Sequence, residues 1–247
     1  MIKVENLKKN FGALQVLDGI SFELEKGKVL AVIGPSGTGK STLLRCLNYL
    51  EKPSEGKITI GNISADSKKI QKQEIYCLRG KTAMVFQNYN LFKNKTALQN
   101  IMEPMISVQG MEKKKAKEKA MEILHMIGLT EKSDSYPSQL SGGQQQRIGI
   151  GRAMAVEPEV MLIDEPTSSL DPELVGEVLS LLYKLAQNHM TMIISTHEMS
   201  FAKNIADKVI FLDQGKIIEE GEPEQFFTNP KTERAKQFLR KFIKEET

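Results

Sequence analysis

One eight-residue stretch limits this chain more than any other: Gly34–Ser41, GPSGTGKS. It fits the pattern G-x-x-x-x-G-K-[ST], with Gly34, Gly39, Lys40 and Ser41 at the fixed offsets. Five apolar residues, Val29 to Ile33, come directly before it, and the helix-compatible run Thr42-Leu43-Leu44-Arg45-Cys46-Leu47 follows. Strand, glycine loop and helix in that order give the pattern a mechanism. The glycines let backbone N–H groups curl around an anion, and the helix start adds free N–H groups and a positive dipole end. Gly34, Pro35, Ser36, Gly37, Thr38, Gly39, Lys40, Ser41 and Thr42 are therefore candidate nucleotide-binding residues. Lys40 would reach the β- and γ-phosphates, and the Ser41 hydroxyl would take a place on Mg²⁺. The plainer reading, a glycine-rich turn with a solvated lysine, does not account for the flanks.

The remaining composition sets wide limits. At 247 residues the chain suffices for one large domain or two small ones, and 40% hydrophobic content supports a real core. Net charge is +3 with both signs mixed, which gives no nucleic-acid stripe. No apolar run approaches the ~18 residues of a membrane span, and MIKVENLKK lacks the apolar core of a signal peptide. Cys46 and Cys77 stand apart and outside any C-x-x-C, which reads as reduced thiols in a cytosolic protein.

Along the chain, residues 2–33 read as strands, with Ile2-Lys3-Val4 and Ile20–Leu24 alternating as half-buried strands do. Phe11 lies between them. It reads either as a core aromatic or as a platform for a base. Lys57–Asn62 reads as a strand, 64–81 as helix-compatible, and Ala83–Phe86 as a short strand ending at Gln87. From about 88 to 155 the pattern turns helical, including Met111–Gly128, with Met121, Leu124 and Ile127 apolar and Gly128 as its stop. The lysines of 113–119 read as a solvated helix face. Val160–Ile163 and Thr191–Thr196 are buried strands, and Pro172–Leu185 is a helix. Val209–Leu212 and Lys216–Glu220 form a hairpin. A last helix after Pro230 uses Phe238, Leu239, Phe242 and Ile243 as its apolar face. The expected fold is α/β with a mostly parallel sheet, an N-terminal antiparallel β sub-sheet, and a helical subdomain inserted at 88–155 into a core made of 1–87 and 156–247.

Three features converge on the glycine loop. Asp164 and Glu165 end the strand 160–163. One carboxylate there can hold hydrated Mg²⁺ and the other can polarise an attacking water. His197 ends a strand in the same way and can bond the γ-phosphate or Glu165. Leu140-Ser141-Gly142-Gly143-Gln144 offers an N-cap serine and two glycines, a second phosphate grip without a lysine or a metal ligand. One full grip and one half grip in a single chain suggest that the half grip completes another copy's site.

With these residues in view, the chain resembles the ATP-binding subunits of ABC transporters. Gly34–Ser41 looks like their Walker A loop and Val160–Asp164 like Walker B, with Glu165 as the catalytic glutamate. Residues 140–144 look like the signature motif, Gln87 like the Q-loop, Ser169-Leu170-Asp171 like the D-loop and His197 like the switch histidine. Phe11 falls where the family places its adenine-stacking aromatic. The resemblance implies an ABC-type P-loop NTPase domain, ATP and Mg²⁺ as cofactors, and a head-to-tail homodimer enclosing two ATP molecules. By the same carry-over Lys40, Glu165 and His197 are catalytic. Phe11, Gln87, Ser141, Gly142, Gly143, Gln144 and Asp171 join the loop as ATP contacts, and Ser41, Gln87 and Asp164 are the metal contacts. It also implies membrane-spanning permease subunits docking after Gln87, an extracytoplasmic solute-binding protein as indirect partner, and a peripheral position on the cytoplasmic face of the membrane.

Within the family the chain looks like polar amino-acid importers, on Arg45-Cys46-Leu47-Asn48, Asp171–Leu179, Thr196-His197-Glu198-Met199 and Asn229–Arg234. Residues 66–92 are most similar to cystine-importer subunits. The chain departs from that subgroup at Lys93-Asn94, where Pro-His is usual, and at Gly151, where Ala is usual. Exporter or lipoprotein-release ATPases share the six motifs but not these stretches. An ABC ATPase acting on nucleic acid or ribosomes would carry two cassettes, a coiled coil or a basic linker, none of which is seen here.

Overall fold

The computed structural model describes residues 1–243, with side chains through Arg240. The chain opens with β1 (Ile2–Phe11) and β2 (Leu14–Leu24), longer than the alternating stretches suggest because the pairing runs through irregular registers to Phe11 opposite Leu14. Then follow β3 (Val29–Ile33), the glycine loop and α1 (Lys40–Leu47). Next come β4 (Glu55–Ile60), β5 (Ile63–Asp66), α2 (Lys72–Lys81) and β6 (Thr82–Val85). Part of the stretch expected as helix is thus the strand β5, paired to β4 across Gly61-Asn62. The Asp66 carboxylate accepts from Lys68 N and turns the chain before α2 begins.

The helical stretch contains α3 (Ala97–Ser107), α4 (Lys113–Met126) and α5 (Gly142–Met154). Gly128, with φ +70°, stops α4 in the left-handed conformation that a glycine adopts without strain. The second half supplies β7 (Val160–Asp164), α6 (Pro172–Gln187), β8 (Met192–Ser195), α7 (Met199–Ile205), β9 (Lys208–Asp213) and β10 (Lys216–Gly221). It closes with α8 (Pro223–Thr228), which the apolar pattern does not announce, and α9 (Glu233–Ile243). Phe238 and Leu239 are buried as expected. Phe242 and Ile243 lie outside the residues whose side chains are described.

Two sheets result. The antiparallel one runs β2-β1-β4-β5, and the larger runs β10-β9-β3-β8-β7-β6, parallel except for β10. β3, β7 and β8 are buried at every position, as parallel strands covered on both faces must be. Their period of two divides the core. Leu30, Val32 and Leu162 face α1 and the antiparallel sheet. Met161 and Ile163 face α3, α5 and α6. Ala31 and Ile33 join Phe211, Phe226 and Phe238 under α7, α8 and α9. Because β8 lies between β3 and β7, the ends of these three strands open on one shared edge.

Candidate nucleotide site

The glycine loop leaves the centre of the large sheet. Gly34 has φ +151°, and a Cβ there would stand 2.0 Å from Leu212 O on β9, so only a bare backbone passes. The loop fixes its own lysine: Lys40 Nζ donates to Gly34 O at 2.9 Å and Pro35 O at 3.1 Å, and the side chain is nearly buried. Thr38 Oγ1 also donates to Pro35 O. A cavity of about 280 Å³ is lined by Val16, Ser36, Gly37, Gly39, Lys40, Ser41, Thr42 and Glu165. Backbone N–H groups, an ammonium and a helix start around a small cavity fit the phosphates of a nucleotide.

Asp164 and Glu165 arrive from β7. Ser41 Oγ donates to Asp164 Oδ1 at 2.8 Å, and Ser195 Oγ of β8 donates to the same oxygen at 2.8 Å. Among the described residues no group of three His, Cys, Asp or Glu side chains could hold a metal. A phosphate-bound Mg²⁺ does not need one, since it takes one or two carboxylates, with phosphates and water supplying the rest. The hydroxyl of Ser41 and the carboxylate of Asp164 fit that role by their hard oxygen chemistry.

Glu165 adopts the left-handed conformation, φ +43°, which is costly for a residue with a Cβ. Ser195 secures it, since Glu165 N donates to both the carbonyl and the hydroxyl of Ser195 at 3.0 Å. The turn brings Glu165 Oε1 to 2.9 Å from His197 Nε2 and 3.4 Å from Lys40 Nζ. The bond from His197 holds the Glu165 carboxyl below its ordinary range, against the opposing effect of burial, and Lys40 adds to the lowering. His197 Nε2 also lies 3.4 Å from Lys40 Nζ, and a proton on Nε2 satisfies the shorter contact, to Glu165.

The structure therefore gathers Gly34–Thr42, Asp164, Glu165 and His197. It adds Val16 and Ser195, which sequence reasoning missed. Ser195 had a signal: a hydroxyl ending the fully buried run Met192-Ile193-Ile194 requires a partner. Val16 had none. Phe11 is not a core aromatic. It is 46% exposed, because it ends β1 beyond the sheet's packed face, and Lys9 Nζ sits 4.4 Å from its ring centroid.

The other expected residues form a second group. Ser141 caps α5, accepting from Gln144 N, while the Gln144 side chain accepts from Ser141 N. Gln87 does not line the cavity, and its carbonyl accepts from Ser169 Oγ at 2.7 Å. Asp171 is exposed at the start of α6. Among the described residues no hydrogen bond or ion pair joins Gln87, Ser141–Gln144 or Asp171 to residues 34–42.

The sequence profile of the ABC transporter family matches residues 17–168. The chain belongs to that family. As a member it binds and hydrolyses ATP. A probable amino-acid import ATP-binding protein of Bacillus subtilis is 58% identical over 97% of this chain and 96% of its own length. An L-cystine import ATP-binding protein of the same organism is 52% identical, over 98% of this chain and 99% of the relative. Among solved structures, the dimeric bacterial ABC transporter cassette MJ0796 superposes with a TM-score of 0.80 at 33% identity. It covers 90% of this chain and 99% of its own.

Proposed function

We propose that this chain is the ATPase of an importer for polar amino acids, with cystine the first solute to test. The observation that carries the reading is the union of one ATP-site geometry with full-length likeness to amino-acid import subunits. In this reading Lys40 and the loop N–H groups neutralise the phosphates. Mg²⁺, held through Ser41 and Asp164, would supply Lewis-acid stabilisation of charge on the transferred phosphoryl oxygens. Glu165 orients the attacking water and takes its proton, and His197 positions Glu165 through the 2.9 Å contact. Phe11, on the surface beside β2, offers a face for the adenine ring.

Two copies would share each site. Among the described residues the half grip at Ser141–Gln144 and the exposed Asp171 make no hydrogen bond to their own chain's loop, which suits contact with the loop of a second copy. The dimeric cassette structure described above supports this arrangement.

Residues 88–155 are read as a lobe that meets the membrane partner. A concavity of about 780 Å³ lies between α2, β6, α3 and α5, and Tyr76, Phe92 and Val108 stand exposed along it. A permease loop or helix would bury those side chains. No described helix is long and apolar enough to cross a membrane, so a peripheral place on the cytoplasmic face would depend on that docking. Co-purification with a permease, followed by uptake assays on a panel of labelled amino acids, tests the reading. Uptake restricted to non-amino-acid solutes overturns it.

A further inference from the structure

Tyr89 belongs to none of the assigned motifs, yet its side chain meets two of them. Its hydroxyl donates to Ser169 O at 3.0 Å, in the turn that carries Asp171. The Tyr89 hydroxyl oxygen lies where a side chain on Gly142 would begin, since a Cβ there would stand 2.7 Å from it and 3.1 Å from Leu170 Cδ2. Gly142 opens α5, directly after Ser141. The ring of Tyr89 thus ends between the half grip and the turn 169–171.

Its backbone is held just as closely. Tyr89 and Asn90 are both left-handed, with φ +56° and +50°, a conformation that costs a residue with a Cβ and persists only when neighbours enforce it. Arg152, ten residues further along α5 than Gly142, donates to Asn90 O at 2.6 Å and Tyr89 O at 3.2 Å. Gln146, between them, donates to Phe86 O at 3.4 Å. Ser169 Oγ closes the circuit at Gln87 O. The helix α5 therefore grips residues 86–90 along its length, and two bonds, from the Tyr89 hydroxyl to Ser169 O and from Ser169 Oγ to Gln87 O, tie that body to the 169–171 turn.

We infer that Tyr89 is a positioning residue that sets the register between Ser141–Gly142 and Ser169–Asp171, so that both meet the second copy together. This rests on the shared-site reading above. Among the described residues no hydrogen bond joins Tyr89 to residues 34–42, so it acts on the joining of two copies and not on the first capture of ATP. Without the hydroxyl, the Ser169 Oγ–Gln87 O bond and the packing of Leu170 on Gly142 hold the two segments less closely, and the cost of fixing their register falls on association.

The test compares Glu165→Gln with Glu165→Gln/Tyr89→Phe in ATP and Mg²⁺. Four quantities are read: ATP affinity at concentrations where the chain is monomeric, the melting temperature of that monomer, its hydrogen exchange, and the dissociation constant of the ATP-dependent dimer by analytical ultracentrifugation. The expected result is unchanged ATP affinity, a monomer melting temperature lowered by no more than a few degrees, and a dimer constant raised on the order of tenfold, since both copies then order the 169–171 turn as they dock. Hydrogen exchange at Leu170 N, bonded to Thr167 O, should quicken in the monomer of the double variant. An unchanged dimer constant overturns the inference whatever the exchange shows. A lowered melting temperature that accounts for the weaker dimer also overturns it, making Tyr89 a folding residue. If Glu165→Gln itself forms no dimer with ATP, the shared-site reading fails first and takes this inference with it.

Discussion

Glu165 concentrates the chemistry of the site in one side chain. Its backbone is left-handed, its amide is tied to Ser195, and its carboxylate sits between His197 and Lys40. If Glu165 is the base, as proposed, Glu165→Gln keeps the shape and removes it, which costs about 10²–10⁴ in rate. Steady-state hydrolysis should fall by that factor while ATP is still bound, and a variant turning over at the parent rate would show that the base lies elsewhere. The pH dependence follows from the lowered carboxyl. A depressed folded value means the carboxylate contributes stability above its ordinary unfolded value of 4.5, and the contribution is lost as pH falls through the lower folded value. The difference in melting temperature between parent and Glu165→Gln should hence be level from pH 6 to 8 and shrink only below about 4.5. A difference that varies across pH 6–8 would mean that another group dominates. Phe11 makes a third case at this scale. The ring is exposed and lies outside the buried core, so Phe11→Ala should leave the folding stability within about 0.5 kcal/mol of the parent. Its ATP affinity should drop several-fold through lost stacking, measured by titration with a fluorescent nucleotide.

At the scale of elements, β8 is the one whose function depends most on its neighbours. It lies between β3 and β7, and its last residue, Ser195, holds both Asp164 Oδ1 and Glu165 N. Ser195→Ala removes a fully buried donor and leaves Ser41 as the remaining bond to Asp164 Oδ1. The expected loss is about 1–3 kcal/mol, or roughly 3–10 °C for a domain of this size, with reduced turnover. Calorimetry and an ATPase assay on one preparation check both, and a variant as stable as the parent would remove Ser195 from the account. This element also shows what the sequence carried. The apolar runs at 29–33, 160–163 and 192–195 are legible because a sheet covered on both faces leaves no polar alternation to read. The loop residues and Asp164, Glu165 and His197 are legible because each ends such a run. Strand order is not written locally. Ser195 reaches Asp164 through a β7–β8 pairing 31 residues apart, but that β8 also lies against β3 depends on pairing across more than 160 residues. The strand β5 and the helix α8 were missed for the opposite reason. Each is short, and turn chemistry at Asp66 and Pro223 sets its limits more than any periodicity does.

For the whole molecule, the decisive question is whether one chain makes a complete site. A two-fold pair would place each copy's Ser141–Gln144 over its partner's Gly34–Ser41, an isologous arrangement that closes without leaving a grip unused. Two inactive variants separate the grips. Lys40→Ala removes the ammonium held at Gly34 O and Pro35 O. Ser141→Arg fills the exposed cap of α5 with a bulky side chain. In either homodimer both sites are broken. In a mixed dimer one site joins an intact Lys40 to an intact Ser141, and the other carries both lesions. Equal mixing makes roughly half the dimers mixed, each with one good site of two, so recovery has a ceiling of roughly a quarter of the parent ATPase. The measurement is the ATPase rate after mixing, with membrane partners supplied where the isolated subunit is slow. If turnover needs both sites intact, the rate stays at zero, but a mixed dimer should still trap one ATP per pair at its single complete site. Mixed dimers that trap none show that each chain works alone, because only a site built within one chain is indifferent to which lesion its partner carries.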